Sequence, residues 1–167
     1  MKLATYKDGS RDGQLLVVSR DLSQAHYATG VTGRMQALLD DWGFLAPQLQ
    51  DVYDALNAGR ARHAFAVEPE RCLAPLPRAH QWVGGGAYPS HARLLHQAWP
   101  LHWALPPQFE PQMAQGPSGD FAAPTDEVRV ASEALQVDFS AELVAVTGDV
   151  RQGVSAEQAL DSVRLLG

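Results

Sequence analysis

At 167 residues, with 46% hydrophobic and 19% charged side chains, the chain has a globular composition and enough length to bury a core in one domain or two small lobes. The formal net charge of −6 comes without a cluster of Lys and Arg, which argues against nucleic acid as a partner, since phosphate neutralisation needs such a cluster. No apolar run approaches the ~20 residues that span a bilayer, and Met1 to Lys7 has no signal-peptide core, so a soluble, cytoplasmic protein away from membranes is expected. The single cysteine, Cys72, excludes an internal disulfide and fits a reducing compartment. Arg71 and Leu73 beside it give no nucleophile signature, and the thiol reads as structural.

The first elements are two β-type runs, Lys2 to Tyr6 and Gln14 to Val18, separated by the turn formers Lys7 to Gly13, which predicts a hairpin with a loose loop. A helix is expected from about Arg34 to Trp42, with Met35, Leu38 and Leu39 on one face and Gly43 as its end. The clearest helix follows. Pro47 suits a first turn, Leu49, Val52, Tyr53 and Leu56 fall at helical spacing, and Gly59 is a C-terminal stop. Arg60 to Arg71 is polar, and Leu73-Ala-Pro-Leu-Pro77 marks a lobe boundary that should run as an exposed or edge segment, because proline restricts its predecessor to extended conformations. The division expected is an N-terminal lobe, 1–72, and a second part, 73–167.

In the second part, Gly84 to Gly86 predict a turn into a helix from His91 to about Trp99. Pro100 to Gly119 reads as a long loop, of the kind that is usually functional or mobile. Val128 and Val130 begin a β region, and Val137 to Gly148 reads as a strand. Ser155 and Gln158 form a capping box for a terminal helix with Ala159, Leu160, Val163 and Leu166 on one face.

Several residue groups invite a chemical reading. The three glycines lack the spacing of either nucleotide fingerprint, and no Lys follows to meet phosphate. Histidines 80, 91, 96 and 102 cluster, yet His91 and His96 are five apart and diverge by roughly 140° around a helix, which is wrong for zinc. No Gly-x-Ser-x-Gly elbow supports a serine hydrolase. On the strand, Asp138, Ser140 and Glu142 share one face, where oxygen ligands two residues apart can converge on Mg²⁺ or Ca²⁺. The plain alternative is the solvent-facing side of an amphipathic strand.

The order of these pieces resembles the N-terminal portion of a bacterial fumarylacetoacetate hydrolase family protein. The likeness is carried by Met1-Lys-Leu-Ala-Thr-Tyr-Lys-Asp-Gly-Ser10, Trp42, the Gln48-Leu-Gln-Asp-Val-Tyr53 helix, Leu56-Asn-Ala-Gly59, Leu73 to Arg78, Ala87-Tyr-Pro-Ser-His91 and Val137-Asp-Phe-Ser-Ala-Glu-Leu143, over essentially the whole chain. It implies an α+β fold, in which a small N-terminal lobe of hairpin and helices precedes part of the family's mixed β-roll. It also implies a dimer acting on β-diketo acids or acylpyruvates. There Mg²⁺ or Ca²⁺ chelates the substrate oxygens and stabilises an enolate, while a histidine activates water. An incomplete β-roll would also expose apolar sheet edges, which predicts a homo-oligomer.

Carried over residue by residue, His91 matches the family's catalytic histidine and Glu142 the second glutamate of its metal strand. The first glutamate's position is Ser140, the metal aspartate seven residues before the histidine is Gly84, and a substrate-contacting tyrosine is Ala114. The family's remaining metal aspartate and its lysine should lie beyond residue 167. Two functions are therefore expected: a carbon–carbon hydrolase that is impaired or incomplete, or an inactive family member serving as a structural or interaction subunit.

Overall fold

The computed structural model describes residues 1–98, 112–116, 120–135 and 137–167. They divide into two compact units, Met1–Pro77 with Phe121–Gly167, and Arg78–Asp120. The first unit is built on an antiparallel sheet of β1 (Lys2–Tyr6), β2 (Gln14–Val18), β3 (Gln24–Tyr27) and β4 (Phe65–Ala66), in that spatial order. The continuous run Leu15-Leu16-Val17-Val18 suits β2 because both faces of this inner strand are covered. Leu15 and Val17 point into a cluster with Met35, Leu38, Ala46, Leu49, Tyr53 and Leu56. Leu16 and Val18 point the other way, to Tyr6 and Ala25. The expected hairpin is present, with Leu3 opposite Val17 and Thr5 opposite Leu15.

The loop between β1 and β2 is tied more firmly than its composition suggests. Asp8 accepts hydrogen bonds from the backbone and hydroxyl of Ser10 and from Arg34, and Arg34 also donates to the Gly13 carbonyl. Gly13 has φ +62°, and a Cβ there would lie 2.5 Å from the Tyr6 carbonyl oxygen, so only glycine fits.

Two helices cover the sheet, α1 (Met35–Asp40) and α2 (Trp42–Asn57). Gly43 does not end a helix as expected. The break falls on Asp41, at φ −128° and ψ 47°, and Gly43 sits in the first turn of α2. Pro47 lies inside α2, not in its first turn. Its ring takes one donor from the ladder, which the helix tolerates because Ala46 and Leu49 anchor it in the core. The stop at Gly59 is as expected. Gly59 has φ +67°, its amide donates to the Leu56 carbonyl, and the Arg60 amide reaches back to Ala55, the two bonds of a Schellman motif. Beyond β4 the chain runs along the open edge of β1, where Leu73 donates to Thr5, Lys7 donates to Arg71, and the Thr5 hydroxyl donates to the Pro75 carbonyl. That is the edge placement the prolines predict.

The C-terminal part of this unit departs from expectation. Val128 and Val130 lie in no strand and are exposed. Of the run Val137 to Gly148, only β7 (Ala145–Thr147) is a strand. Val144 exchanges both backbone hydrogen bonds with Gly167, but no described strand pairs with 137–143, and a segment without a ladder partner leaves its backbone and apolar side chains to water. The capping box at Ser155 and Gln158 forms as expected, but its helix, α4 (Ala156–Leu160), is short. Val163 to Leu166 is not its continuation. It is β8 (Val163–Leu166), antiparallel to β7, with Val163 and Leu165 turned inward and Leu165 packed on the N-terminal core. Four apolar-rich residues fit either period, and the available partner strand decides.

The second unit pairs β5 (Val83–Gly86) with β6 (Gln112–Gln115), and α3 (Pro89–Ala98) follows β5. The three glycines are thus a strand and not a turn, because Gln112 to Gln115 supplies them a ladder. The same strand interrupts the loop expected over Pro100 to Gly119, whose other residues lie mostly outside the described ones, as do Trp99 and His102. Among the described residues no helix is long and apolar enough to cross a membrane.

Candidate functional site

In the second unit, the β5–β6 register sets Gly84 directly opposite Ala114 and Gly85 opposite Met113. Directly opposed residues on an antiparallel pair present their side chains on one face. A Cβ at Gly84 would meet only the Ala114 carbonyl oxygen at 4.0 Å, so room for a side chain exists where glycine provides none. At the end of the pair, the Gly116 amide donates to the Trp82 carbonyl at 2.9 Å, and a Cβ at Gly116 would fall 2.1 Å from the Trp82 ring. Gln115 clamps the same end, donating to the Trp82 carbonyl and accepting from Gln81. This indole-on-glycine contact carries no sequence signal, because Trp82 and Gly116 are far apart in the chain and meet only through the strand register.

His91 is the third residue of α3 and is exposed. His96, roughly 140° around the helix from it, is half-buried with Nδ1 lacking a hydrogen-bond partner. In the first unit, Asp138, Ser140 and Glu142 are all exposed. The Ser140 hydroxyl donates to Glu142 Oε1 at 3.3 Å, while Asp138 Oδ1 accepts from the neighbouring Phe139 amide at 2.7 Å. Ser140 and Glu142 are therefore brought together, and Asp138 is turned to the backbone.

These residues do not fit a divalent-cation site. Mg²⁺ and Ca²⁺ take about six or more oxygen ligands, with several charged ones from the protein. Here one hydrated carboxylate is engaged by a neutral hydroxyl. Among the described residues, no three His, Cys, Asp or Glu side chains come together in a way that could hold a metal.

Strongly perturbed carboxylates lie elsewhere. Hydrogen bonds from Ser10, then from Arg34, lower the Asp8 carboxyl to about 2, and hydrogen bonds from Ser19 and Ser23 lower Asp21 to about 2. Both groups staple hairpin loops, and their shifts are structural. Burial, with the Glu70 carboxylate second, pushes the Cys72 thiol up, which fits an unreactive structural cysteine.

Residues 1–78 match the family model described as fumarylacetoacetase N-terminal domain 2, and residues 81–166 match that described as fumarylacetoacetate (FAA) hydrolase C-terminal. The chain belongs to the fumarylacetoacetate hydrolase family. Its mixed α+β architecture of small sheets and helices is a partial form of that fold, with no closed barrel among the described residues. Membership brings a hydrolase-type function and, for the family's hydrolase domain in general, metal dependence. No curated protein matches the chain.

Proposed function

We propose that this chain is a family member whose hydrolysis of carbon–carbon bonds in β-diketo acids and acylpyruvates is impaired. The observation that most supports this is the Gly84–Ala114 pair. The positions where the family resemblance implies a metal carboxylate and a substrate-contacting phenol are cross-strand neighbours, and here they offer a hydrogen and a methyl group. The two losses therefore open one continuous gap.

In this reading His91 is the residue left to move a proton, Glu142 is the one metal carboxylate left, and Mg²⁺ or Ca²⁺ is the metal the family fold would take. The substrate is a small diketo acid, nucleic acid is no partner, and the protein acts in the cytoplasm as a homo-oligomer. The N-terminal lobe, 1–72, then serves as support for the hydrolase-type part, 73–167. What the chain itself contributes is an imidazole on an exposed helical turn, with no carboxylate among the described residues hydrogen-bonded to it.

The test follows the enol absorbance of acylpyruvates with Mg²⁺ or Mn²⁺ present. The expected result is no decay above buffer. Turnover that the His91→Ala substitution abolishes would overturn the proposal.

A second reading, an inactive interaction subunit, draws on one specific observation. Val137, Phe139, Leu143 and Val144 are all exposed within eight residues, with Phe139 at 87%. Light scattering should then give a mass of two or more chains, and a clean monomer at tens of micromolar would count against it.

A further inference from the structure

Leu165 of β8 packs on the N-terminal core, and beside it a cleft of about 360 Å³ opens within the first unit. Met1, Trp42, Ala46, Pro47 and Leu165 give it apolar walls, to which Gln50 adds a side-chain amide and Arg164 a charge. Ala46 belongs to the core cluster, and Met1, Trp42 and Leu165 pack against it, so the walls are held by the elements that hold the lobe together. Size and lining match small-molecule clefts, which run to ~300–1,000 Å³ and join apolar walls to a few polar groups.

The polar groups choose the occupant. Arg164 makes no ion pair among the described residues, although the chain carries 19 acidic side chains against 13 basic ones. Its guanidinium lies on Gly148, where a Cβ would stand 3.1 Å from Nε, so a bare backbone position seats it. Gln50 donates its amide to Asp54 Oδ1 at 2.9 Å, which engages that carboxylate and leaves Gln50 Oε1 as an acceptor. A guanidinium presents parallel N–H donors matched to a carboxylate, and at an apolar cleft it favours a ligand with a carboxylate head and an apolar body.

We propose that this cleft binds a small monocarboxylate with an aromatic or branched aliphatic body, its carboxylate on Arg164 and its body against Trp42, Ala46 and Leu165. His91, Gly84 and Ala114 belong to the second unit and take no part in it. The proposal therefore holds whether or not the chain turns over a diketo acid.

An NMR titration of the full chain with 3-phenylpropionate tests it, with 3-phenyl-1-propanol as the neutral counterpart. Neither probe carries a keto group, so neither is a substrate for diketo acid hydrolysis. The acid should shift the Trp42 indole and Ala46 signals saturably, with a Kd of ~1 mM or below, and the alcohol should bind ~5-fold or more weakly. Arg164→Gln should remove that difference and leave the alcohol's affinity within ~2-fold, with unchanged β2 amide signals showing that the fold is kept. No saturable shift up to ~10 mM, equal affinity for acid and alcohol, or an acid affinity that survives Arg164→Gln would each rule the proposal out. So would shifts confined to α3 and β5.

Discussion

β2 and the segment 137–144 have much the same raw material: a short run rich in branched and aromatic residues that can extend. In β2, Leu15, Leu16, Val17 and Val18 are all buried, because β1 and β3 flank the strand and α2 covers one face. In 137–144 every residue is exposed, and among the described residues only Val144, bonded to Gly167, joins a ladder. The contrast teaches that apolar pattern only offers a face, and the neighbouring elements decide whether it becomes core. It also places the chemistry. Ser140, Glu142, Gly84 and His91 all belong to thinly packed segments, and the well-packed lobe holds none of them.

Core truncation should separate the two regions most sharply. Leu49, fully buried between α2 and β2, should cost about 2–5 kcal/mol when replaced by alanine, read as a lower urea midpoint. Phe139→Ala removes a larger side chain and should change stability by less than about 0.5 kcal/mol. A comparable loss at both sites would break the comparison. Gly13→Ala comes next. Its positive φ and the 2.5 Å approach to the Tyr6 carbonyl predict a loss of about 2–3 kcal/mol. Leu22 runs in the opposite direction. It sits at φ +66° on the tip between β2 and β3 and is 58% exposed, so Leu22→Gly should relieve more strain than the lost contacts repay. A gain of about 0.5–1 kcal/mol is expected in the same urea titration, and a loss would show that the leucine packs on something the sheet needs.

The N-terminal lobe was the legible part. Short β-type runs bounded by turn formers marked β1 and β2, helical spacing marked α2, and Gly59 marked its stop, because each signal is local and the core satisfies it. Gly43 and Pro47 misled because propensity weights a residue's habit, and tertiary anchoring of Ala46 and Leu49 overrode it. The glycine strand was illegible for a different reason. Nothing in Gly84-Gly-Gly86 specifies extension until Gln112 to Gln115 lies alongside. The same holds for β8, whose Val163 and Leu166 continue a helical stripe until β7 claims them. For the site, the sequence singled out Gly84, Ala114 and Ser140 one by one. Only the strand register makes Gly84 and Ala114 neighbours, and only coordinates show the Ser140 hydroxyl spent on Glu142.

The smallest expected effect is on acid stability, and it belongs wholly to the packed lobe. Asp8 and Asp21 are each lowered to about 2 in the folded chain, against about 3.9 for an unfolded aspartate. A carboxyl depressed by folding contributes stability above its unfolded value and loses it as pH falls through its folded value. Their contribution should therefore be complete above about pH 4 and gone near pH 2. Both groups are solvent-exposed, so the effect is modest, but its salt dependence distinguishes them. Asp21 is held by the neutral hydroxyls and amide of Ser19 and Ser23, whereas Asp8 leans on Arg34 after Ser10. At about 1 M salt, where screening acts within about 3 Å, an NMR titration should show Asp8 moving up part of the way, by the share it owes to Arg34, while Asp21 stays low. Asp21→Asn should flatten the acid limb equally at low and high salt, and Asp8→Asn somewhat less at high salt than at low, because the Ser10 hydrogen bonds to Asp8 persist. Two carboxyls that respond alike would mean that charge, and not the geometry of the two serine-lined loops, sets both.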